Sequence, residues 1–236
     1  MNEPHPTPAG HYRFWRWLMR DVLLRYLGFP LLIWPEVEGL EHLPPSGPTI
    51  LMMNHSFSVD GVVMLGVVRQ RDVIPLLKIE NMQHWFIGPL ARRWGAYGIE
   101  RGEVDRAALK TTLELLEAGA LILMAPEGTR QRQLMRPKDG LAYLALKSGA
   151  AVVPVGLSGG EGWLKNTRRL RRTRMQVKFG PAFRLKAAGE RVKRDQLGPI
   201  TDDMMYQLAQ LLPPDYRGQY SDLSQAKTEH LLFLNR

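Results

Sequence analysis

Short apolar runs separated by helix-length amphipathic stretches constrain this chain most. Residues 49–53, 73–77, 121–125 and 151–157 are each too short to be buried helices, and Gly, Pro or charged residues bound them, so they read as strands. Between them, residues 59–69, 85–94, 104–118 and 140–147 carry helical spacing, and Gly119 and Gly149 stand where the last two should end. Alternation of this kind predicts an α/β fold, a mixed, partly parallel sheet flanked by helices. Residues 36–38 and 95–99 are expected to be extended, 175–179 to form a late strand, and Thr201 to open a helix running to about Leu212, closed by Pro213-Pro214.

The organisation expected is one main domain, residues 35–212, with appendages. Residues 1–10 are Pro-rich and expected to be disordered, and residues 213–236 form a tail. Residues 12–27 have helical periodicity, with Gly28 and Pro30 as the expected stop. Residues 22–34 hold an apolar stretch interrupted by Arg25, shorter than the ~20 residues needed to span a bilayer. Tyr12, Trp15, Trp17, Tyr26 and Trp34 flank it with Arg13, Arg16 and Arg20, which fits a helix lying in a membrane interface or one packed on its own domain. The start, Met1-Asn2-Glu3, lacks the basic region of a secretory signal, so none is expected.

Charge points to an anionic partner. The formal net charge is +9, and the last 38 residues hold five carboxylates against three cations, so the basic excess belongs to residues 1–198. A phospholipid surface, a phosphorylated substrate or nucleic acid would satisfy it. Residues 163–178 concentrate it in Lys165, Arg168, Arg169, Arg171, Arg172, Arg174 and Lys178 without one acidic residue. That run is either a solvated loop or a binding surface, and it lacks the interleaved aromatics of single-strand recognition. With no cysteine in the chain, disulfides, thiolate metal sites and a cysteine nucleophile are excluded.

Chemistry concentrates just after the strands, where α/β proteins place their sites. Asn54-His55-Ser56-Phe57-Ser58-Val59-Asp60 follows the run 50–53. Residues five apart on a helix are ~140° apart around its axis, so His55 and Asp60 would not share a face. They meet if His55 lies in the turn before the helix and Asp60 in its first turn, with Ser56 or Ser58 as cap. Asp60 then orients one imidazole nitrogen and leaves the other as a general base, whose ordinary pKa near ~6.5 suits deprotonating an alcohol. A capping turn that happens to contain histidine is the alternative. Glu127-Gly128-Thr129-Arg130 follows the run 121–125, Lys78 ends 73–77, and Arg101 follows 95–99. In a parallel sheet these gather on one edge, a general base beside cations suited to a phosphate-bearing alcohol. Gly156-Leu157-Ser158-Gly159-Gly160 matches the nucleophile-elbow pattern, but the basic stretch beyond it does not read as the helix an elbow requires, so Ser158 is expected to be a loop serine rather than an esterase nucleophile.

Taken together, these residues resemble the glycerolipid acyltransferase family that includes 1-acylglycerol-3-phosphate acyltransferases. Asn54–Asp60 is similar to its N-H-x4-D motif. Gly98-Ile99-Glu100-Arg101 is similar to its second motif, Ala125-Pro126-Glu127-Gly128-Thr129-Arg130-Gln131 to its F-P-E-G-T-R-S motif, and Val152-Val153-Pro154-Val155 to its fourth. Lys138-Asp139-Gly140-Leu141-Ala142 resembles the segment after the third, and the likeness covers roughly residues 35–185. Ala125, Gln131, Gln133 and Glu100 depart from the common pattern without removing a catalytic group.

The resemblance implies an acyltransferase domain preceded by a membrane-docking element at residues 11–34. It implies His55 as base and Asp60 as its orienting partner. Arg101, Arg130 and Lys78 would hold an acceptor phosphate, with Glu127, Gly128 and Thr129 shaping the site. The implied reaction is acyl transfer from acyl-CoA or acyl-acyl carrier protein to the free hydroxyl of 1-acylglycerol-3-phosphate, with glycerol-3-phosphate or another lysolipid as an alternative acceptor. It needs no metal and no bound cofactor, and it places the protein peripherally on the cytoplasmic face of a membrane. Nucleic acid is not an expected partner; a non-catalytic basic module binding lipid or nucleic acid is the competing reading.

Overall fold

The apolar runs pair into one sheet. The computed structural model describes residues 10–100, 105–186, 188–189 and 196–234. Strands β1 (Ile33–Glu38), β2 (Thr49–Met53), β3 (Val73–Lys78), β4 (Tyr97–Ile99), β5 (Leu121–Met124), β6 (Ala151–Ser158) and β7 (Thr173–Phe179) lie in the order β1-β7-β6-β2-β5-β3-β4. β2 is parallel to both its neighbours, β5 and β6, and β3 is parallel to β5 and β4. β7 is antiparallel to β6 and carries β1 parallel to itself. Strands β8 (Phe183–Leu185) and β9 (Leu231–Phe233) add antiparallel pairs beside the first half of β6. The ends of β2 to β6 therefore share one edge with the starts of β7 and β1.

Every residue of β2 is buried because both sheet faces are covered. Ile50 and Met52 point into a core with helices α6 (Arg106–Glu117), α7 (Gly140–Ser148) and α9 (Leu197–Gln210). Leu51 and Met53 point the other way, onto helix α3 (Asp60–Val67) and Leu32 of the N-terminal segment. Helices α4 (Ile79–Gln83) and α5 (Ile87–Trp94) join β3 to β4, and α8 (Trp163–Arg168) precedes β7.

The N-terminal segment does not stop at Gly28 and Pro30. Helix α1 (Gly10–Arg16) continues in π-helical winding through Trp17–Gly28 into a last turn, α2 (Phe29–Leu31). Pro30 falls one residue before the end of this winding, and the Leu32 N–H closes the last turn on the Gly28 carbonyl (2.8 Å). The segment packs on the domain. Buried Arg16 donates to Asp72 (2.9 Å) and to the Trp94 carbonyl (2.8 Å), and a Cβ on Gly66 would lie 2.4 Å from the Phe29 ring, so only glycine lets α3 approach it. Among the described residues, no helix is long and apolar enough to cross a membrane.

Thr201 does not open a helix. α9 begins at Leu197, and Thr201 lies buried within it, donating to Asp139 (3.0 Å) instead of capping.

Candidate active site

Asn54 shapes the end of β2. Its side chain accepts the Leu157 N–H (2.7 Å) and donates to the Leu157 carbonyl (2.9 Å), so a side chain, not backbone, makes the next pairing with β6. The main chain is thereby released from the ladder, and His55 leaves the sheet. Asp60 begins α3 and is fully buried. Its Oδ2 accepts the Ser56 N–H (2.8 Å) and the Phe57 N–H (2.7 Å) and lies 3.2 Å from His55 Nδ1. Neither serine caps α3, whose first turn follows Val59 without a side-chain cap. Ser56 Oγ instead accepts from Asn54 Nδ2 at 3.2 Å. With Nδ1 donating to Asp60, Nε2 of the His55 ring, 23% exposed, is left as the lone-pair nitrogen.

The loop after β5 lies beside this pair because Met124 is in register with Met52. Gly128 turns it in the left-handed region (φ 67°), donating to the Ala125 carbonyl at 3.1 Å. Gln131 N–H reaches the His55 carbonyl (2.9 Å), tying the two strand-end loops together. Glu127 folds inward and braces its own loop by accepting the Met135 N–H (3.1 Å). Thr129 and Arg130 are exposed, and no carboxylate pairs with Arg130 among the described residues. A proton acceptor and a solvent-facing guanidinium thus share one edge.

The Acyltransferase family model matches residues 35–158, more than half the chain and the span that holds both loops. The chain belongs to the Acyltransferase family. Its relatives include the 1-acyl-sn-glycerol-3-phosphate acyltransferase alpha of Bos taurus, 26% identical over 193 residues, covering 79% of this chain and 66% of that one. The 1-acyl-sn-glycerol-3-phosphate acyltransferase of Pseudomonas aeruginosa is 28% identical over 190 residues, covering 76% of this chain and 67% of that one. The chain spans 66% of the bovine relative's length and 58% of the human one's. Among solved structures, the 1-acyl-sn-glycerophosphate acyltransferase PlsC of Thermotoga maritima superposes with a TM-score of 0.59 at 20% identity, covering 82% of this chain and 76% of that one, a likeness of fold.

Of the other expected acyltransferase site residues, Lys78 ends β3 on the same edge, two strands from β2, but its ammonium is paired with Glu80 at 2.6 Å. Arg101 lies outside the described residues. Ser158 is not a loop serine. It is the last residue of β6, buried and in register with Gln176, so it occupies no elbow although helix α8 does follow. The basic run is split in two: α8 and its following turn hold Arg168, Arg169, Arg171 and Arg172, while Arg174 and Lys178 lie on β7 and face Glu36 (3.9 Å) and Glu38 (3.2 Å) of β1.

Sequence reasoning missed Tyr216, in the tail. Its hydroxyl donates to the Glu161 carboxylate and accepts the Gly159 N–H (3.2 Å), and its carbonyl accepts the Leu134 N–H (2.8 Å). Its ring packs edge-on against Phe57 (6.5 Å). One residue thus binds the loops after β2, β5 and β6. Burial, with the neighbouring carboxylate, pushes its hydroxyl up to about 12, so it stays a donor. Nothing in Pro213-Pro214-Asp215-Tyr216 signals this, since the contacts are long-range.

Burial also pushes the Glu127 carboxyl up from 4.5 to about 7, against the Met135 and His55 backbone N–H groups, which draw it down. The folded chain then holds this proton to a higher pH than the unfolded chain. Stability is greatest below the unfolded value and falls as pH rises toward about 7, by about 3 kcal/mol at most. Glu127→Gln, which keeps the acceptor for Met135 and has no charge to desolvate, should flatten that dependence and melt above wild type at about pH 8. Thermal melts at about pH 5 and about pH 8 check it; a variant losing as much stability as wild type would contradict it.

Proposed function

We propose that this acyltransferase moves a fatty acyl chain from acyl-CoA or acyl-acyl carrier protein to the free hydroxyl of 1-acylglycerol-3-phosphate. The observation that carries the reading is the His55–Asp60 pair, with Nε2 free, on the same edge as unpaired Arg130. Relatives across mammals, plants and bacteria are 1-acyl-sn-glycerol-3-phosphate acyltransferases, which supports it.

In this account His55 Nε2 takes the acceptor hydroxyl proton as the oxygen attacks the thioester carbonyl. A C–O bond forms, the C–S bond breaks, and the proton passes from the imidazolium to the departing thiolate. Asp60 holds the ring and stabilises its cationic form. Arg130 binds the acceptor phosphate with its planar fork, the family motif assigns Arg101 to the same phosphate, and Lys78 joins them only by giving up its Glu80 pair. Glu127, Gly128 and Thr129 shape the wall between. The step uses this chain's own side chains and the two substrates. Docking to the cytoplasmic face of a membrane brings the acceptor to the edge.

Arg130→Ala is expected to raise KM for 1-acylglycerol-3-phosphate at least about tenfold and to change transfer to a phosphate-free monoacylglycerol by less than about twofold. Steady-state kinetics on the two acceptors check this. Equal losses on both would remove Arg130 from phosphate binding, and a preference for glycerol-3-phosphate would replace the acceptor.

A further inference from the structure

Two apolar tips flank the strand edge that holds His55, and the reaction as described uses neither. The first joins α4 to α5. Trp85 is 82% exposed, and Phe86, Ile87 and Leu90 are exposed beside it. α5 is apolar on two sides. Gly88, Ala91 and Trp94 face inward, the Trp94 indole donating to the Val73 carbonyl at 2.8 Å, while Phe86, Ile87 and Leu90 are exposed, Leu90 one turn on from the other two. Val73 begins β3, so α5 runs back along the sheet, and its start, with Trp85 and Phe86, lies at the His55 edge. Residues 81–99 contain two arginines, Arg92 and Arg93, and no carboxylate.

The second tip joins α8 to β7. Leu170 is 89% exposed and is the one described non-glycine residue with a left-handed backbone (φ 52°). It stands just past the end of α8, where glycine ordinarily relieves that strain. The turn is firmly held: Arg171 N–H donates to the Asn166 carbonyl (2.9 Å), and Asn166 Nδ2 donates to Thr173 (3.0 Å). The side chain of a leucine kept in a strained turn and aimed at solvent adds no packing to the fold. Around it Arg168, Arg169, Arg171 and Arg172 are exposed, with no carboxylate partner among the described residues. Ser158 pairs with Gln176, so Thr173 and the turn before it stand beyond the end of β6.

In the strand order β7 lies two places to one side of β2, and β3 two places to the other. At a spacing of ~4.8 Å per strand, the strands these tips adjoin each lie ~10 Å from the His55 strand. We infer that Trp85-Phe86 and Leu170 are the two feet of a membrane seat that sets the His55 edge down on an anionic phospholipid bilayer, with arginines 168–172 at the headgroups. Apolar tips rimmed by unpaired arginines match the boundary between acyl chains and anionic headgroups. Trp34 and Leu31, exposed where β1 starts at the same edge, continue the seat, and Arg172 lies over the Trp34 ring at 5.1 Å. The arrangement rests on the proposed reaction only for its purpose; the binding surface stands or falls separately.

Flotation of the full chain with vesicles of phosphatidylcholine, alone and mixed with phosphatidylglycerol, tests it. Trp85→Asp with Phe86→Asp should weaken binding to the mixed vesicles about tenfold or more. Leu170→Gly should weaken binding while raising Tm, because glycine removes the strain; that opposite pair of shifts separates a seat from a fold defect. Changing Arg168, Arg169, Arg171 and Arg172 to Gln should abolish the preference for phosphatidylglycerol and most of the salt dependence. Transfer to a short-chain acceptor dissolved below its micellar limit should be unchanged in all three. Vesicle binding within about twofold of wild type in all three overturns the seat, as does a wild-type dimer that the Trp85 variant dissolves. Loss of vesicle binding in a protein that transfers no acyl group under any condition would leave the seat standing and remove the proposed reaction.

Discussion

Replacing His55 by alanine is expected to lower kcat for acyl transfer by about 10³-fold while leaving KM for the acceptor within about threefold. The ring is partly exposed at the end of β2, and its one side-chain bond is to Asp60, whose Oδ2 keeps the Ser56 and Phe57 N–H groups when the ring is gone. The fold therefore survives, and the loss falls on proton removal alone. Nothing else described at this edge can replace the base. Lys78 is held by Glu80, and the Glu127 carboxyl is turned into its own loop. Retained kcat would move the base elsewhere.

Asp60 should show a double effect. It is fully buried, and one of its oxygens serves three donors from the turn. Asp60→Ala takes the acceptor from two partly buried backbone N–H groups, a loss of about 1–3 kcal/mol, and should lower both Tm and activity. Asp60→Asn keeps an acceptor for those N–H groups but removes the charge that steadies the imidazolium. It should hold most of the stability and still lose about 10²-fold in kcat. Urea melts beside steady-state kinetics separate the two. If Asp60→Asn were as active as wild type, Asp60 would be a structural staple and not part of the chemistry.

How far the sequence discloses all this depends on the range of the forces involved. β2 is legible to the residue because its run is apolar on both faces and ends at polar Asn54. The meeting of His55 and Asp60 follows from their spacing once a turn is placed before α3, and the gathering of Lys78 and Glu127–Arg130 on one edge follows from parallel strands. What fails locally is whatever depends on a distant partner. Gly28 and Pro30 read as a helix stop, yet the winding runs through them to Leu31. Thr201 reads as a cap until Asp139 is found opposite it. The Lys78 charge looks free until Glu80 folds back on it. Asn54, Tyr216 and Leu170 act through contacts or backbone strain that have no compositional signature.

Direct transfer to a lysophospholipid hydroxyl is the central step of the proposed reaction. The most direct test supplies the purified chain with 1-acylglycerol-3-phosphate and either acyl-CoA or acyl-acyl carrier protein, and reads the product by mass spectrometry. Wild type is expected to form diacylated glycerol phosphate in step with free thiol, and His55→Ala is not. Thiol release with free fatty acid and no diacylated product from either donor would contradict it.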